Sequence, residues 1–595
     1  MTVPDTAIAQ DYEHRLEEHR RRLAADERRH AWIGYLRLTI AASAIAVVWI
    51  GGLDALVWVL VPLGVFVAVA LVHARLLNRT DRIRSAILFY EQGLARIRHE
   101  WVGHGRTGDT YRPHDHLYAD DLDLFGRGSL FELLATTRTR AGEETVARWL
   151  LTPAPHDVAR GRQEAVRELA ARLDLRETVA VIGDRVKVAV DAPLLRRWAA
   201  TQQGIGSGPL RVVVPVLVMA TVASLAWWWQ TDQLGNLAAG LLVAQVLAGA
   251  ALRPRVVAVI EAVDEPAHDL DVLSHLLLII ERGTFESAHL RGLQQALSGA
   301  HTASNEIARL SRLVAMLASR RNVIFAVPAG LLMWATQWAF AIDAWKRRAG
   351  IHVPRWLDIV GEFEALLALG AFAAEHPAYT FPELIEGPPR MVATKLAHAT
   401  LDANAVANDL ELGAGAPHLL VVSGSNMSGK STWMRTIGVT VVLARMGGPV
   451  RATACALSPL AIGASIRVQD SLTDGRSRFF AEILRLKHVV DLARTDRGAV
   501  LFLLDEVLSG TNSHDRRIGA EAVMRGLVAS GAIGLVTTHD LALASVAEEL
   551  GDRAANAHFD DRFEAGVLEF DYRLKPGVVE TSNALALMRS IGIEV

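Results

Sequence analysis

Two pairs of long apolar runs constrain this 595-residue chain more than any other feature of its sequence. Each run has about the length that a helix needs to cross a bilayer core of roughly 30 Å, the first only if residues 31–37 join it. The triplet Trp227–Trp229, near the end of one run, is typical of an interfacial aromatic belt. The pattern therefore predicts two transmembrane helical hairpins, at 31–75 and 210–253, with two buried hairpins of a soluble core as the alternative. The uncharged runs are 38–53, 55–72, 212–231 and 233–252.

The charges around the two hairpins predict their orientation. Arginines precede and follow each hairpin, whereas the turns carry only Asp54 and Asp232. Because positively charged flanks stay in the cytoplasm, we expect a multi-pass protein of the cell (inner or plasma) membrane whose large segments are all cytoplasmic. Residues 1–30 are densely charged with mixed signs, which predicts a cytoplasmic N-terminal helix rather than a signal peptide.

Composition excludes two further classes of protein. With 62 Lys+Arg against 65 Asp+Glu, the net charge of −3 excludes a globally basic nucleic-acid binder, although a local basic patch remains compatible with that average. Cys455 is the only cysteine, so an intrachain disulfide framework and a cysteine-based zinc site are both excluded.

Apolar periodicity divides the rest of the chain. Residues 76–209 and 254–385 show apolar positions every three or four residues, which predicts two parts of a helical core or lever region. From residue 386 to 595, short aliphatic runs alternate with helical stretches, which indicates an α/β domain with a largely parallel sheet. The predicted fold class is thus an α+α/β multidomain membrane protein.

The sequence Gly-Ser-Asn-Met-Ser-Gly-Lys-Ser at 424–431 follows the first of these strands and opens a helix. It matches the pattern of a P-loop, whose glycines let backbone N–H groups face phosphate oxygens. Lys430 would reach the β- and γ-phosphates, and the Ser431 hydroxyl would coordinate Mg²⁺. The predicted cofactors are therefore ATP and Mg²⁺. The predicted nucleotide-binding residues are Gly424, Ser425, Asn426, Met427, Ser428, Gly429, Lys430, Ser431 and Thr432.

Two further strands end in residues suited to phosphate hydrolysis. The run 500–504 is followed by Asp505 and Glu506, at the strand end where ligands sit in α/β sheets. We expect Asp505 to hold Mg²⁺ and Glu506 to act as the general base for the attacking water. His539 follows a third strand, where it is predicted to sense the γ-phosphate. The predicted activity is Mg²⁺-dependent ATP hydrolysis.

These motifs resemble those of the MutS mismatch-repair ATPases. The resemblance runs from Ser423–Thr432 through Leu504–Glu506 to Thr538–His539 and covers residues 386–595 nearly continuously. It implies a homodimer joined through its ATPase domains. The segment 474–479 resembles a loop whose serine, Ser477 here, contacts ATP bound in the opposite subunit. The remaining matches are Asn408–Asp409, Gly510–Thr511 and the late strand Phe570–Leu574.

The upstream resemblance is weaker, and what is missing is informative. Residues 129–153 are similar to the start of the MutS lever domain, but the membrane-like segment before them leaves no room for a mismatch-recognition domain. The family's Phe-x-Glu wedge has no counterpart there, and the matches at 381–383 and 480–482 are interpreted as chance. The second hairpin interrupts the lever region where the family extends its DNA-clamping arms. Ser425 and Ser428 also depart from the family's usual Pro and Gly.

Three functions are compatible with this arrangement. The first is a membrane-anchored MutS-like ATPase of DNA repair or recombination, with membrane lipid and DNA as partners. The second is an ATP-gated membrane scaffold without DNA binding. The third, an ABC-type transporter, is disfavoured because no Leu-Ser-Gly-Gly-Gln-like helix start lies between Lys430 and Asp505.

A fifth uncharged run, 322–342, is long enough to span a bilayer. A fifth span would place the ATPase domain outside the cytoplasm, and both flanks of the run are basic. Pro328 also favours a kink over a straight span. We therefore predict a helix packed within the lever bundle or lying at the membrane surface, with Trp334, Trp338 and Trp345 toward the apolar side.

Overall fold

The structure is a computed structural model that describes 7–52, 58–183, 192–200, 208–264, 267–299, 302–322, 325–425, 427–467, 478–495, 499–508, 511–564 and 567–579. Its helices are α1 (Ala7–Gly51), α2 (Leu60–Ile97), α3 (Leu130–Leu134), α4 (Arg140–Leu151), α5 (His156–Ala170), α6 (Leu173–Gly183), α7 (Ala192–Ala200), α8 (Pro209–Thr231), α9 (Gly235–Asp264), α10 (Ala267–Arg282), α11 (Ala288–Leu297), α12 (Ala303–Ala318), α13 (Ala326–Leu331), α14 (Trp334–Ala349), α15 (Val353–Glu375), α16 (Lys430–Met446), α17 (Arg478–Thr495), α18 (Ser513–Ala529) and α19 (Ala544–Leu550). Its strands are β1 (Glu383–Leu384), β2 (Arg390–Leu396), β3 (Asn408–Gly413), β4 (Leu419–Ser423), β5 (Ala454–Leu457), β6 (Ala461–Ser465), β7 (Val500–Leu504), β8 (Ile533–Thr538), β9 (Ala554–Glu564) and β10 (Val567–Pro576).

Four helices in the described part, α1, α2, α8 and α9, contain segments long and apolar enough to cross a membrane, by length and composition only. Helices α1 and α2 form the first hairpin but run without a break through the sequence boundaries placed at 30/31 and 75/76. The N-terminal part of α1 packs on the end of α2, where the ring of Tyr12 meets the edge of Tyr90 with centroids 5.3 Å apart. The first hairpin thus continues as a rigid pair of helices into the helical region.

Helix α15 is the centre of the helical region because it is apolar on nearly every side. Helices α4, α5 and α11 pack around it, so most of its side chains between Val353 and Phe372 are buried. Its one buried acid near the middle, Glu364, accepts a hydrogen bond from the Arg138 backbone N–H at 2.8 Å. Thr139, the N-cap of α4, also donates to this carboxylate through both its N–H and its hydroxyl.

The run 322–342 is broken into two helices. α13 ends at Leu331, Met333 adopts a left-handed conformation with φ of +46°, and α14 begins at Trp334. Pro328 lies in the first turn of α13, where proline is tolerated, so the break falls five residues after it. Trp345 is buried in the helical core, stacked on Trp198 with centroids 6.1 Å apart.

The C-terminal region contains two sheets, and the predicted mixture of a helical region and an α/β domain is confirmed. The six-stranded sheet has the order β10-β9-β4-β8-β7-β6, in which only the β9–β10 pairing is antiparallel. A four-stranded sheet of mixed direction, β1-β5-β2-β3, was not predicted. Its first strand begins at Glu383, just before the boundary placed at 385/386.

Candidate functional site

The backbone of the loop between β4 and α16 requires glycine at two positions. Gly424 has φ of +146°, and a Cβ there would lie 2.9 Å from both the Phe559 carbonyl oxygen and Ser428 Oγ. Gly429 has φ of +102°, and a Cβ there would approach the Tyr572 ring at 3.2 Å. The loop therefore curls tightly enough to present its N–H groups to a ligand, which is the geometry that phosphate binding requires. Asn426 lies outside the described residues.

Lys430 is buried at the start of α16, and its ammonium donates to the carbonyl oxygens of Gly424 and Ser425, both at 2.8 Å. Burial lowers the pKa of Lys430, while Asp505 and Glu506 oppose that shift. The buried hydroxyls of Ser425 and Ser428 have no hydrogen-bond partner among the described residues. An ammonium and two orphaned hydroxyls along one loop fit an anion with several oxygens.

Ser431 and Asp505 are brought together, as the sequence predicted for a Mg²⁺ site. Ser431 Oγ donates to Asp505 Oδ2 at 2.5 Å, and Thr537 Oγ1 donates to the other carboxylate oxygen. The backbone N–H of Asp505 is held by the Ser465 carbonyl at 2.9 Å, so the carboxylate is fixed from β6, β8 and α16 together. A hydroxyl and a carboxylate are the hard oxygen donors that suit Mg²⁺ in a phosphate site.

Glu506 and His539 also meet. The carboxylate of Glu506 lies 2.7 Å from His539 Nε2. Because a carboxylate only accepts, Nε2 carries the ring hydrogen and donates a hydrogen bond to Glu506. Lys430 Nζ lies 3.5 Å from the same nitrogen. Glu506 has φ of +47°, a strained backbone of the kind that clusters at functional sites. The Thr537 hydroxyl accepts from the Glu506 N–H at 3.1 Å and so supports this conformation.

Two contributors to the site were missed in the sequence. Thr537 contacts both acidic residues, and its place at the end of a third strand was the available signal. Glu482 of α17 is buried and accepts a hydrogen bond from the Leu508 N–H, two residues after the proposed base. The sequence offered no signal for this contact, because the match at 480–482 was considered only as a DNA wedge. The structure places that match inside the α/β domain.

A cavity of about 630 Å³ opens beside the loop between β4 and α16. One wall is this loop and the start of α16, the other is the segment 397–408, and Tyr572 lies between them. Asn408 joins its wall to β10: its side-chain nitrogen donates to the Tyr572 carbonyl at 3.0 Å, and its side-chain oxygen accepts from the Leu574 N–H at 2.8 Å. Burial lowers the pKa of His398 in this wall to about 4, so its ring is neutral at pH 7. The cavity has the size and the mixed lining of a site for a nucleoside.

Residues 116–123 connect the helical region to this site. The fully buried Asp121 accepts from the N–H groups of Ile466 and Arg467 at 2.7 and 2.8 Å, and from Arg485 at 2.5 Å. Its own carbonyl accepts from Arg435 of α16 at 2.9 Å. Burial raises the pKa of Asp121, whereas Arg485 and the two N–H groups oppose the rise. These contacts hold the end of β6, next to the strand that carries Asp505. Ser477, the residue predicted to act across a dimer, lies outside the described residues.

Comparison with known proteins finds similarity in the part of the chain that contains this site. The family model of MutS domain V matches residues 420–594. The DNA mismatch repair protein MutS of Natronomonas pharaonis is 35% identical over 243 residues, which are 39% of this chain and 27% of that protein. The MutS of Brevibacillus brevis is 32% identical over 241 residues, with the same two shares. The DNA mismatch repair protein MutS 2 of Haloarcula marismortui is 37% identical over 179 residues, 30% of this chain and 18% of that protein.

The chain thus spans only about a quarter or less of the length of these relatives, and the matches lie in its C-terminal part. The matched residues include the loop between β4 and α16 and the acidic pair after β7. By these matches, the C-terminal part of the chain, which contains the site, is similar to domain V of the MutS family.

Proposed function

We propose that this protein is a membrane-anchored MutS-type ATPase, which binds and hydrolyses ATP at composite sites of a homodimer. One observation carries the proposal. Lys430, Ser431, Asp505, Glu506 and His539 come from three strand ends of one sheet. Ser431 contacts Asp505, and Lys430 and Glu506 both lie within 3.5 Å of His539. This is the arrangement that phosphoryl transfer to water needs, because it joins a phosphate cradle, a metal site and a base.

Each side chain has a part in the proposed reaction. Lys430 exchanges its loop carbonyls for β- and γ-phosphate oxygens and neutralises their charge. Ser431 and Asp505 hold Mg²⁺, which when bound offsets further phosphate charge. Glu506 accepts a proton from the attacking water as the water oxygen bonds to the γ-phosphorus and the bond to the ADP oxygen breaks. His539, through its N–H, orients the carboxylate of Glu506 and is near enough to meet the γ-phosphate.

The membrane anchoring is the second part of the proposal. The outward faces of both helical hairpins carry large apolar side chains, among them the exposed Trp49 and Trp229. Such faces are unusual on a soluble protein and are suited to lipid. With arginines at both ends of each hairpin, the α/β domain lies in the cytoplasm, where ATP is available.

Two substitutions test the ATPase. Lys430→Ala should abolish tight ATP binding, because no other described cation is seated in the loop. Glu506→Gln should keep ATP binding and slow hydrolysis by about 10²–10⁴-fold, the usual scale for loss of a general base. Both are measured on the full-length protein as nucleotide binding and phosphate release. Lys487→Ala, which removes an exposed lysine side chain of α17, is the charge-matched control. ATP affinity within threefold of wild type in Lys430→Ala, or normal turnover in Glu506→Gln, contradicts the assignment.

DNA is the proposed ligand of the helical region, with the DNA-free scaffold as the second candidate. One observation favours the scaffold: α8 and α9 occupy the place in the chain, between α7 and α10, where the resemblance leads us to expect DNA-clamping arms. Binding to duplex, branched and single-stranded DNA over a salt series separates the two, because contacts to phosphates weaken as salt rises. Salt-dependent binding supports the DNA function, and no binding at low salt leaves the scaffold.

A further inference from the structure

Helices α13 and α14 form a corner, here residues 326–340, that packs on the second hairpin. The side-chain amide of Gln245, in the middle of α9, donates to the carbonyl oxygen of Leu331 at the end of α13. Apolar side chains of α8 and α9 close around the corner. The buried members of this contact are Val214, Val218, Leu252, Val256, Met333, Ala339 and Phe340.

The depth of the corner follows from residue counts along the helices. Gln245 lies eight residues before Arg253, about 12 Å along the helix toward the predicted bilayer interior. On the other side, Asp343 of α14 pairs with Arg211 at 2.7 Å, and Arg211 immediately precedes the first uncharged run of this hairpin. Met333 lies ten residues before Asp343, about 15 Å along α14. Both counts place the corner on the bilayer side of the arginines.

The outer surface of α13 suits an apolar environment. Its outward residues are Ala326, Val327, Pro328 and Gly330, and the side chain of Val327 is 82% exposed. The carbonyl groups released by the break are satisfied: Leu331 by Gln245, and Leu332 by the Gln337 amide at 2.7 Å. Irregular backbone is tolerated at membrane depth only where its polar groups are satisfied within the protein.

We propose that α13 inserts into the cytoplasmic leaflet beside the second hairpin, as a wedge that enters the bilayer and turns back without crossing it. Its exposed face contacts lipid acyl chains, while the basic segments 320–321 and 346–348, which flank the corner in the sequence, lie at the level of the headgroups. This goes beyond a position in the bundle or at the membrane surface, and it rests on the proposed membrane anchoring.

Site-directed nitroxides test the insertion in full-length protein reconstituted into liposomes, after Cys455→Ser. Labels at Val327, Ile351 and Val246 are compared for collisions with apolar O₂ and with a water-soluble nickel chelate. Ile351 is the matched control for Val327, because both residues are apolar and exposed, at 81% and 82%. Val246 lies on the outer face of α9 and reports on anchoring itself.

We expect the O₂-to-nickel collision ratio to be several-fold higher at Val327 and Val246 than at Ile351. A ratio at Val327 equal to that at Ile351, with a high ratio at Val246, overturns the insertion and leaves the anchoring intact. A low ratio at Val246 overturns the anchoring and the insertion with it.

Discussion

Glu364 shows how one buried side chain makes stability depend on pH. It lies completely inside the helical region and accepts hydrogen bonds from Arg138 and from Thr139, the N-cap of α4. Burial raises the pKa of Glu364 to about 7, although these hydrogen bonds oppose the rise. The folded protein therefore binds a proton here that the unfolded chain has released above its ordinary pKa of 4.5. The free energy of unfolding must fall as pH rises between these two values.

Glu364→Gln should remove this contribution, because glutamine fills the same space and does not titrate. We expect the loss of melting temperature between pH 5 and pH 8 to be smaller in Glu364→Gln than in the wild type. Thermal unfolding in detergent at both pH values measures the difference, with the exposed Glu411→Gln as the control. An unchanged pH dependence in Glu364→Gln would show that the residue does not titrate in this range.

At the scale of residues, the sequence revealed chemistry that lies within short motifs. Lys430, Asp505 and His539 were each identified because a strand end preceded them. Glu482 was not, because its partner, the Leu508 N–H, lies 26 residues away and follows no spacing rule. Contacts of this kind depend on how α17 packs on the sheet, which one sequence alone does not specify.

At the scale of elements, the segment 116–123 joins two parts of the molecule without being a helix or a strand. The Leu117 carbonyl accepts from the Ala464 N–H at 2.9 Å, so the segment covers the edge strand β6. Asp121 then fixes the residues that leave this strand. Because β6 also holds the backbone of Asp505, these hydrogen bonds connect the helical region to the proposed metal site.

Asp121→Asn should therefore disturb the ATPase site from a distance. The substitution removes one partner of a buried ion pair and costs about 3 kcal/mol of stability or more. We expect a higher Mg²⁺ concentration for half-maximal ATPase activity, with ATP binding in the loop largely kept. Asp123→Asn is the control, since Asp123 pairs with Arg467 but is partly exposed. Equal effects of the two substitutions would mean that Asp121 is not a specific link.

Elements were predictable where composition alone defines them. The apolar run 500–504 became β7 with the same bounds, and strands end at Ser423 and Thr538, just before the loop at 424 and before His539, as predicted. The four-stranded sheet was missed because its strands are short and come from distant segments, as in the pairing of Glu383 with Ala456. The continuity of α1 was missed because its charged and apolar halves have different compositions, although both are helical.

At the scale of the whole molecule, the proposed dimer predicts that ATP brings two copies together. The Glu506→Gln protein should bind ATP, turn it over slowly and accumulate as a dimer. Adding Ser477→Ala should weaken that dimer, because the partner's bound ATP loses a contact, whereas ATP binding within each copy remains. Light scattering of the detergent-solubilised proteins with and without ATP measures the change, and the Glu506→Gln/Lys430→Ala double variant supplies the ATP-blind control. Full dimerisation of the Ser477→Ala variant would remove this serine from the interface.

The unbroken helix α1 has a consequence for how two such molecules meet. Its 45 residues make a helix about 68 Å long. The charged half of this helix packs against α2 and the helical region. For a chain anchored as proposed, α1 sets the distance of the helical region and the α/β domain from the membrane, and also their tilt. Two copies then meet by lateral diffusion in the membrane plane, with their ATPase domains at the same distance from the membrane. Most of the orientations that limit association in free solution are excluded before the first encounter, so dimerisation would be governed by surface density rather than by cell volume.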